Sequence, residues 1–115
     1  MSISTLSIRM VAEPQRILAA ASISGAYMGI GTPLEYPTRL LWVLNLTDAL
    51  LQFSLDGIND HFVLPTQSNF VFDVTTNTPQ TLGCYIGVGT RFYVKEIGLP
   101  STGNVYISSF YGATY

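Results

Sequence analysis

Two stretches of the chain nearly repeat each other, about half a chain apart. Gly25-Ala26-Tyr27-Met28-Gly29-Ile30-Gly31-Thr32 runs in step with Gly83-Cys84-Tyr85-Ile86-Gly87-Val88-Gly89-Thr90. Glycine, Tyr, Gly, Gly and Thr recur, and the remaining positions exchange small for small or apolar for apolar. A helix tolerates that many glycines poorly, whereas bends and bulges between β-strands use them. A weaker echo follows at nearly the same offset, between Ala49–Gly57 and Asn104–Gly112. The pattern points to an all-β sandwich with two similar halves. Either an internal duplication or two strand-bend-strand segments that converged on the same residues accounts for it.

Strand signals dominate elsewhere. Ser4 to Ala12 alternates, with Leu6, Ile8 and Met10 on one face, until Pro14 interrupts. Ile17 to Ser24 has the alanines of a short helix, but Ile23-Ser24-Gly25 favours an extended segment. Thr32-Pro33 and Tyr36-Pro37 mark a loop, because a residue before proline avoids the helical region. Arg39 to Asn45 is apolar at nearly every position and reads as a strand buried on both faces. Asn45-Leu46-Thr47-Asp48 is a turn. Ala49 to Leu55 follows as a strand, with Leu51, Phe53 and Leu55 on one face and Gln52 and Ser54 on the other. Asp56-Gly57 signals a hairpin, and His61 to Leu64 continues extended to Pro65. Asn69 to Thr75 places Phe70, Phe72 and Val74 inward. After the polar loop at residues 76–80 come strands at Leu82–Val88, Arg91–Ile97 and Asn104–Tyr111. Eight or so antiparallel strands with turns every eight to twelve residues predict a single β-sandwich, jelly-roll-like domain over residues 1–115.

Composition then limits what such a domain does. Of 115 residues 48% are apolar and only 10% charged, against about 25% charged in a typical soluble domain. A small chain with so few charges and so many aromatic rings suits an obligate oligomer, whose interfaces resemble a core cut in half. One Lys and four scattered Arg, with a net charge of −2, argue against a nucleic-acid partner. The apolar runs Ile17–Gly31 and Leu40–Leu55 are too short or too polar to span a membrane, and no signal peptide is expected at the N-terminus. Asn45-Leu46-Thr47 fits a glycosylation sequon by accident of composition. Cys84 is the single cysteine; it excludes an internal disulfide and reads as a small buried hydrophobe.

Candidates for chemistry are few. His61 is the only histidine; Asp56, Asp60 and Ser54 lie near it in sequence. Asp60 and His61 are adjacent, so on a strand they point to opposite faces, and a loop-edge histidine accounts for His61 better than catalysis does. Asp56, Asn59 and Asp60 offer oxygens to a calcium ion, but their spacing is not that of an EF-hand, and turn formation explains the same residues. The glycine runs have the order Gly-x-x-x-Gly-x-Gly rather than the dinucleotide fingerprint. No catalytic, metal or cofactor-binding residue is therefore expected. Seven tyrosines remain, with Tyr106, Phe110, Tyr111 and Tyr115 gathered at the C-terminus. Their amphipathic rings suit core, interface or a sugar-stacking platform.

The run Arg39-Leu40-Leu41-Trp42-Val43-Leu44-Asn45-Leu46-Thr47-Asp48, then Phe53-Ser54-Leu55-Asp56-Gly57, then Phe70-Val71-Phe72-Asp73-Val74, resembles small structural proteins of tailed-bacteriophage particles. Gly89-Thr90, Tyr93-Val94-Lys95 and Thr102-Gly103-Asn104-Val105-Tyr106-Ile107-Ser108 extend the resemblance over roughly residues 25–112. It implies a β-rich, non-enzymatic virion subunit that forms a symmetric homo-oligomer at the head-to-tail neck or, alternatively, decorates the capsid. Its partners would be copies of itself and other virion proteins. The different alternative is a carbohydrate-binding module for host recognition. On the assembly reading Trp42 and Phe53 belong to the core, Tyr106, Tyr111 and Tyr115 to an interface, and Met1–Pro14 to an arm that reaches a neighbour.

Overall fold

The computed structural model describes residues 8–74 and 85–114. Among these the chain forms nine strands: β1 (Ile8–Ala12), β2 (Arg16–Ala19), β3 (Met28–Gly29), β4 (Thr38–Asn45), β5 (Leu51–Ser54), β6 (Phe62–Leu64), β7 (Ser68–Asp73), β8 (Tyr93–Glu96) and β9 (Asn104–Thr114). All pairings are antiparallel. A five-stranded sheet A has the order β1-β9-β4-β7, with β2 also on β9; a four-stranded sheet B has the order β3-β8-β5-β6. The expected all-β sandwich is what the chain builds.

β1 and β2 lie end to end along one edge of β9, opposite Phe110–Thr114 and Asn104–Ile107 respectively. Pro14 separates them, since it has no N–H to donate to a ladder. The alanines after β2 form a single 3-10 turn, Ala20–Ser22, rather than a longer helix. In β4 the register against β9 shifts between Thr38 and Leu40, a bulge at Arg39. The hairpin at Asp56-Gly57 joins β5 to β6, with Gly57 at φ 76°.

The core lies between the inner faces of the two sheets. Leu41 and Val43 of β4 with Val105 and Ile107 of β9 meet Leu51 and Phe53 of β5, Leu64 of β6 and Val94 of β8. Phe53 is fully buried, as expected. It stacks on Phe62 with ring centroids 5.1 Å apart, and Phe62 meets Phe70 and Phe72 of the opposite sheet edge-on. Apolar burial of this kind is the main stabilising term, roughly 1.5–3 kcal/mol per large side chain.

The ends of the two glycine-rich echoes are held near each other by bonds that run through Leu34 and Phe92, just beyond them. Ile30 N–H donates to Phe92 O, Leu34 N–H to Thr90 O and Gly89 N–H to Leu34 O, each at 2.8 Å. Gly31 and Gly89 occupy equivalent positions in the echo, and both have positive φ, 62° and 89°. Part of the shared pattern thus answers a shared local need for left-handed backbone. Residues 1–7, 75–84 and 115 lie outside the described residues, and with them Cys84, Tyr115 and the start of the strand expected at Leu82–Val88.

Candidate functional site

β4 is where the sequence reading needs correction. It alternates strictly after the bulge: Leu41, Val43 and Asn45 are buried, while Trp42 is 41% exposed. Trp42 is therefore not core. The strand is apolar on both faces, but the chain covers only one of them. The uncovered side is the outer face of sheet A, and the register assembles it. Trp42 stands between Val71 of β7 and Ser108 of β9; Leu44 stands between Asn69 and Tyr106; Leu40 stands between Asp73 and Phe110. On the far side of β9, Ile17 of β2 is opposite Tyr106 and Met10 of β1 is opposite Gly112. Ile17, Val71 and Met10 are each about half exposed.

Trp42, Ile17, Val71 and Met10 remain exposed on this face, with Asp73 at its margin. An exposed apolar patch of this kind is a candidate interaction site. The outer side of sheet B is different. Lys95 pairs with Asp60 at 3.2 Å and lies 4.7 Å from the Tyr27 ring centroid. Tyr27 donates its hydroxyl proton to Asp60. Arg91 lies 5.7 Å from the Tyr93 ring centroid and donates to Gly31 O. Each of these tyrosine rings already has a cation over one face.

Of the expected interface tyrosines, Tyr106 sits on the apolar face, with its hydroxyl accepting from Asn104 Nδ2 at 3.1 Å. Tyr111 alternates to the other side of β9, where it stacks on Tyr36 with centroids 3.9 Å apart. Ile8–Ala12, in the segment expected to reach a neighbour, instead forms β1 on the chain's own β9.

The polar clusters are tied into the loops by hydrogen bonds. Glu13 and Arg16 form a buried ion pair at 2.8 Å. Arg16 also donates to Thr32 O, Pro33 O and the Ser109 hydroxyl, and Glu13 accepts from the Glu35 and Tyr36 N–H groups. Together they clamp the 32–36 loop to the edge of sheet A. Asp56 Oδ1 accepts from Ser54 Oγ and from the Ile58 and Asn59 N–H groups, and Oδ2 accepts from Asn59 Nδ2. The Asn59 N–H, then that of Ile58, hold this carboxyl well below the usual range. A carboxylate filled with N–H and O–H donors turns its lone pairs to the turn rather than to a cation. The Leu55 N–H donates to His61 Nδ1 at 2.9 Å, and Ser54 Oγ already accepts from the Asp56 and Gly57 N–H groups. Ser54, Asp56 and His61 are thus brought together in one hairpin loop, with Ser54 Oγ 3.5 Å from His61 Nδ1 and His61 Nε2 4.0 Å from Asp56 Oδ2.

At the end of the sandwich where β4 leaves and β9 enters, the loops at residues 46–50 and 97–103 interlock. Ile97 and Gly98 N–H donate to Leu50 O, and Asp48 accepts from the Ser101 and Thr102 N–H groups and the Ser101 hydroxyl. This end exposes Leu46, Leu50, Ile97 and Leu99, the last 83% exposed. The sequence reading missed it because single leucines in turns carry no periodicity.

No protein family, curated protein or solved structure matches this chain.

Proposed function

We propose that the protein is a non-enzymatic structural subunit of a bacteriophage particle, assembling as a homo-oligomer at the head-to-tail neck, with capsid decoration as the second placement. The observation that carries the reading is the outer face of sheet A, centred on Trp42. Copies of one chain meet on such a face without like-charge repulsion, and burying it removes apolar surface from water. The interleaved strand order, β1/β2-β9-β4-β7 over β3-β8-β5-β6, we read as the double Greek key of a jelly roll, an architecture that capsid domains use. The resemblance over residues 25–112 adds to this reading.

Lectin domains use the same architecture, so a carbohydrate-binding module is the alternative. It calls for an open aromatic platform, and the cations over Tyr27 and Tyr93 count against one on sheet B. The test is solution mass by light scattering with electron microscopy of the same sample. A ring of six or twelve copies is expected at a neck and a trimer on a capsid. A stable monomer that binds a glycan array would overturn the assembly reading.

A further inference from the structure

We infer that β7 pairs with β7 of a second copy, antiparallel about a two-fold axis at Val71, so that sheet A continues from one subunit into the next. The inference rests on the reading that copies of this chain associate, and adds an edge-to-edge contact to the face centred on Trp42.

The ladder decides which backbone groups of β7 are already bonded. Leu46 N–H donates to Asn104 O and Val74 N–H to Arg39 O. In an antiparallel ladder successive residues turn their N–H and C=O to opposite sides, so the odd residues of β4 face β7 and the even ones face β9. Leu41 stands opposite Phe72, Val43 opposite Phe70 and Asn45 opposite Ser68, so the even residues of β7 bond to β4. The N–H and C=O groups of Asn69 and Val71 therefore point away from β4, on the side where β7 ends the strand order of sheet A.

Four strand edges bound the two sheets, and three of them are blunted in the ways that discourage pairing. β3 has two residues, and β6 has three with Pro65 next. β1 and β2 are parted by Pro14 and carry Arg9 and Arg16. β7 has six residues, an unshifted register on β4, and no Pro, Lys or Arg. Phe70 gives an independent reason. It lies opposite the fully buried Val43 and so faces inward, yet it is 43% exposed. A partner stacked on the outer face of sheet A lies across the sheet from this ring, whereas a strand added along β7 lies beside it. A second β7 fits the edge. Pairing about Val71 sets Val71 opposite its own copy and Phe70 opposite Phe72, so aromatic rings of the two inner faces meet. Each Asp73 then stands opposite an Asn69, whose amide can donate to it. The two Asp73 residues end about 14 Å apart, four residues at about 3.4 Å each, beyond the ~10 Å Debye length at 0.1 M salt. The contact is isologous, the kind that closes a symmetric oligomer.

The test combines one variant with one measurement on the wild-type chain. Val71→Pro removes the N–H at the axis, which β4 does not use, and keeps an apolar side chain; it is expected to run at half the wild-type mass or less by light scattering. Amide hydrogen exchange on the wild-type chain stands by itself should that variant fail to fold by circular dichroism. As mass rises with concentration, exchange at Asn69 and Val71 is expected to slow by at least about tenfold, towards that of Phe70 and Phe72. Edge amides that exchange freely in an oligomeric wild type, or a folded Val71→Pro that keeps the wild-type mass, would overturn the pairing and leave the assembly reading standing. Edge amides already protected in a monomer would mean that the chain covers β7 itself, and would overturn the pairing too. A wild-type chain that is monomeric at every concentration would overturn the assembly reading, an outcome distinct from these.

Discussion

At the residue scale, the buried polar groups are the most sensitive points. Asn45 is fully buried. Its amide donates to Ala49 O and Leu64 O at 2.9 Å and to Pro65 O at 3.1 Å, while its Oδ1 accepts from Thr47 N–H and hydroxyl. One side chain therefore ties the β4–β5 turn to the end of β6. Asn45→Leu keeps the branching at Cγ but orphans these buried groups, and is expected to cost about 3 kcal/mol in urea unfolding. Glu13→Ala strands the Arg16 guanidinium in a site it cannot leave, with an expected loss of about 3 kcal/mol. Trp42→Arg, by contrast, should leave the stability of the isolated subunit within about 0.5 kcal/mol. Asp48 and Asp56 define the pH response. The Ser101 hydroxyl chiefly, with backbone N–H groups, holds the Asp48 carboxyl below the usual range, as the Asn59 N–H does for Asp56. A depressed folded pKa means the stabilisation is present above the unfolded pKa, about 4, and is lost as pH falls below it. Melting temperature should therefore drop between about pH 4 and 2, and less steeply in an Asp48→Asn, Asp56→Asn double variant.

At the element scale, glycines with positive φ differ in what they need. Gly89 has φ 89° and open space around an added Cβ; Gly103 has φ 86° and no space. Gly89→Ala should cost only backbone strain, about 1–2 kcal/mol. Gly103→Ala should cost more, since the Leu46 carbonyl must move and the 46–50 loop with it. Comparing the two by thermal melting checks that the two loops interlock. The same scale shows what the sequence made legible. Alternation identified the strands through Leu51 and Phe53, through Phe70 and Phe72, and through Phe92 and Val94, because half-buried strands write their period directly. The unbroken apolar run at β4 reads as a strand buried on both faces, whereas the fold buries one and leaves Trp42 exposed on the other. Sequence pattern reports that a face is apolar; only the fold reports whether the chain itself covers it, and so Trp42 moved from core to surface. The Glu13–Arg16 clamp was illegible because its partners, Thr32, Pro33 and Ser109, are brought to it by tertiary structure. The aliphatic end was illegible because Leu50, Ile97 and Leu99 sit in turns without period.

At the scale of the whole molecule, the sandwich has two unlike outsides. Sheet B turns Lys95, Asp60, Arg91 and their tyrosines to water. Sheet A turns Trp42, Leu40, Leu44 and Val71 outward with almost no charge. That asymmetry fits the proposed assembly, in which other copies would cover a share of the surface. Trp42 is the only tryptophan in the chain, and it stands at the centre of the face in question. Its fluorescence, with acrylamide quenching and light scattering on the same dilution series, therefore reads the central claim directly. Emission that is blue-shifted and protected from quencher in the assembled protein, and that turns red and quenchable as the mass falls on dilution, is the predicted result. Trp42 that stays equally accessible to quencher while the mass changes would mean that assembly uses another surface, and the account would be contradicted.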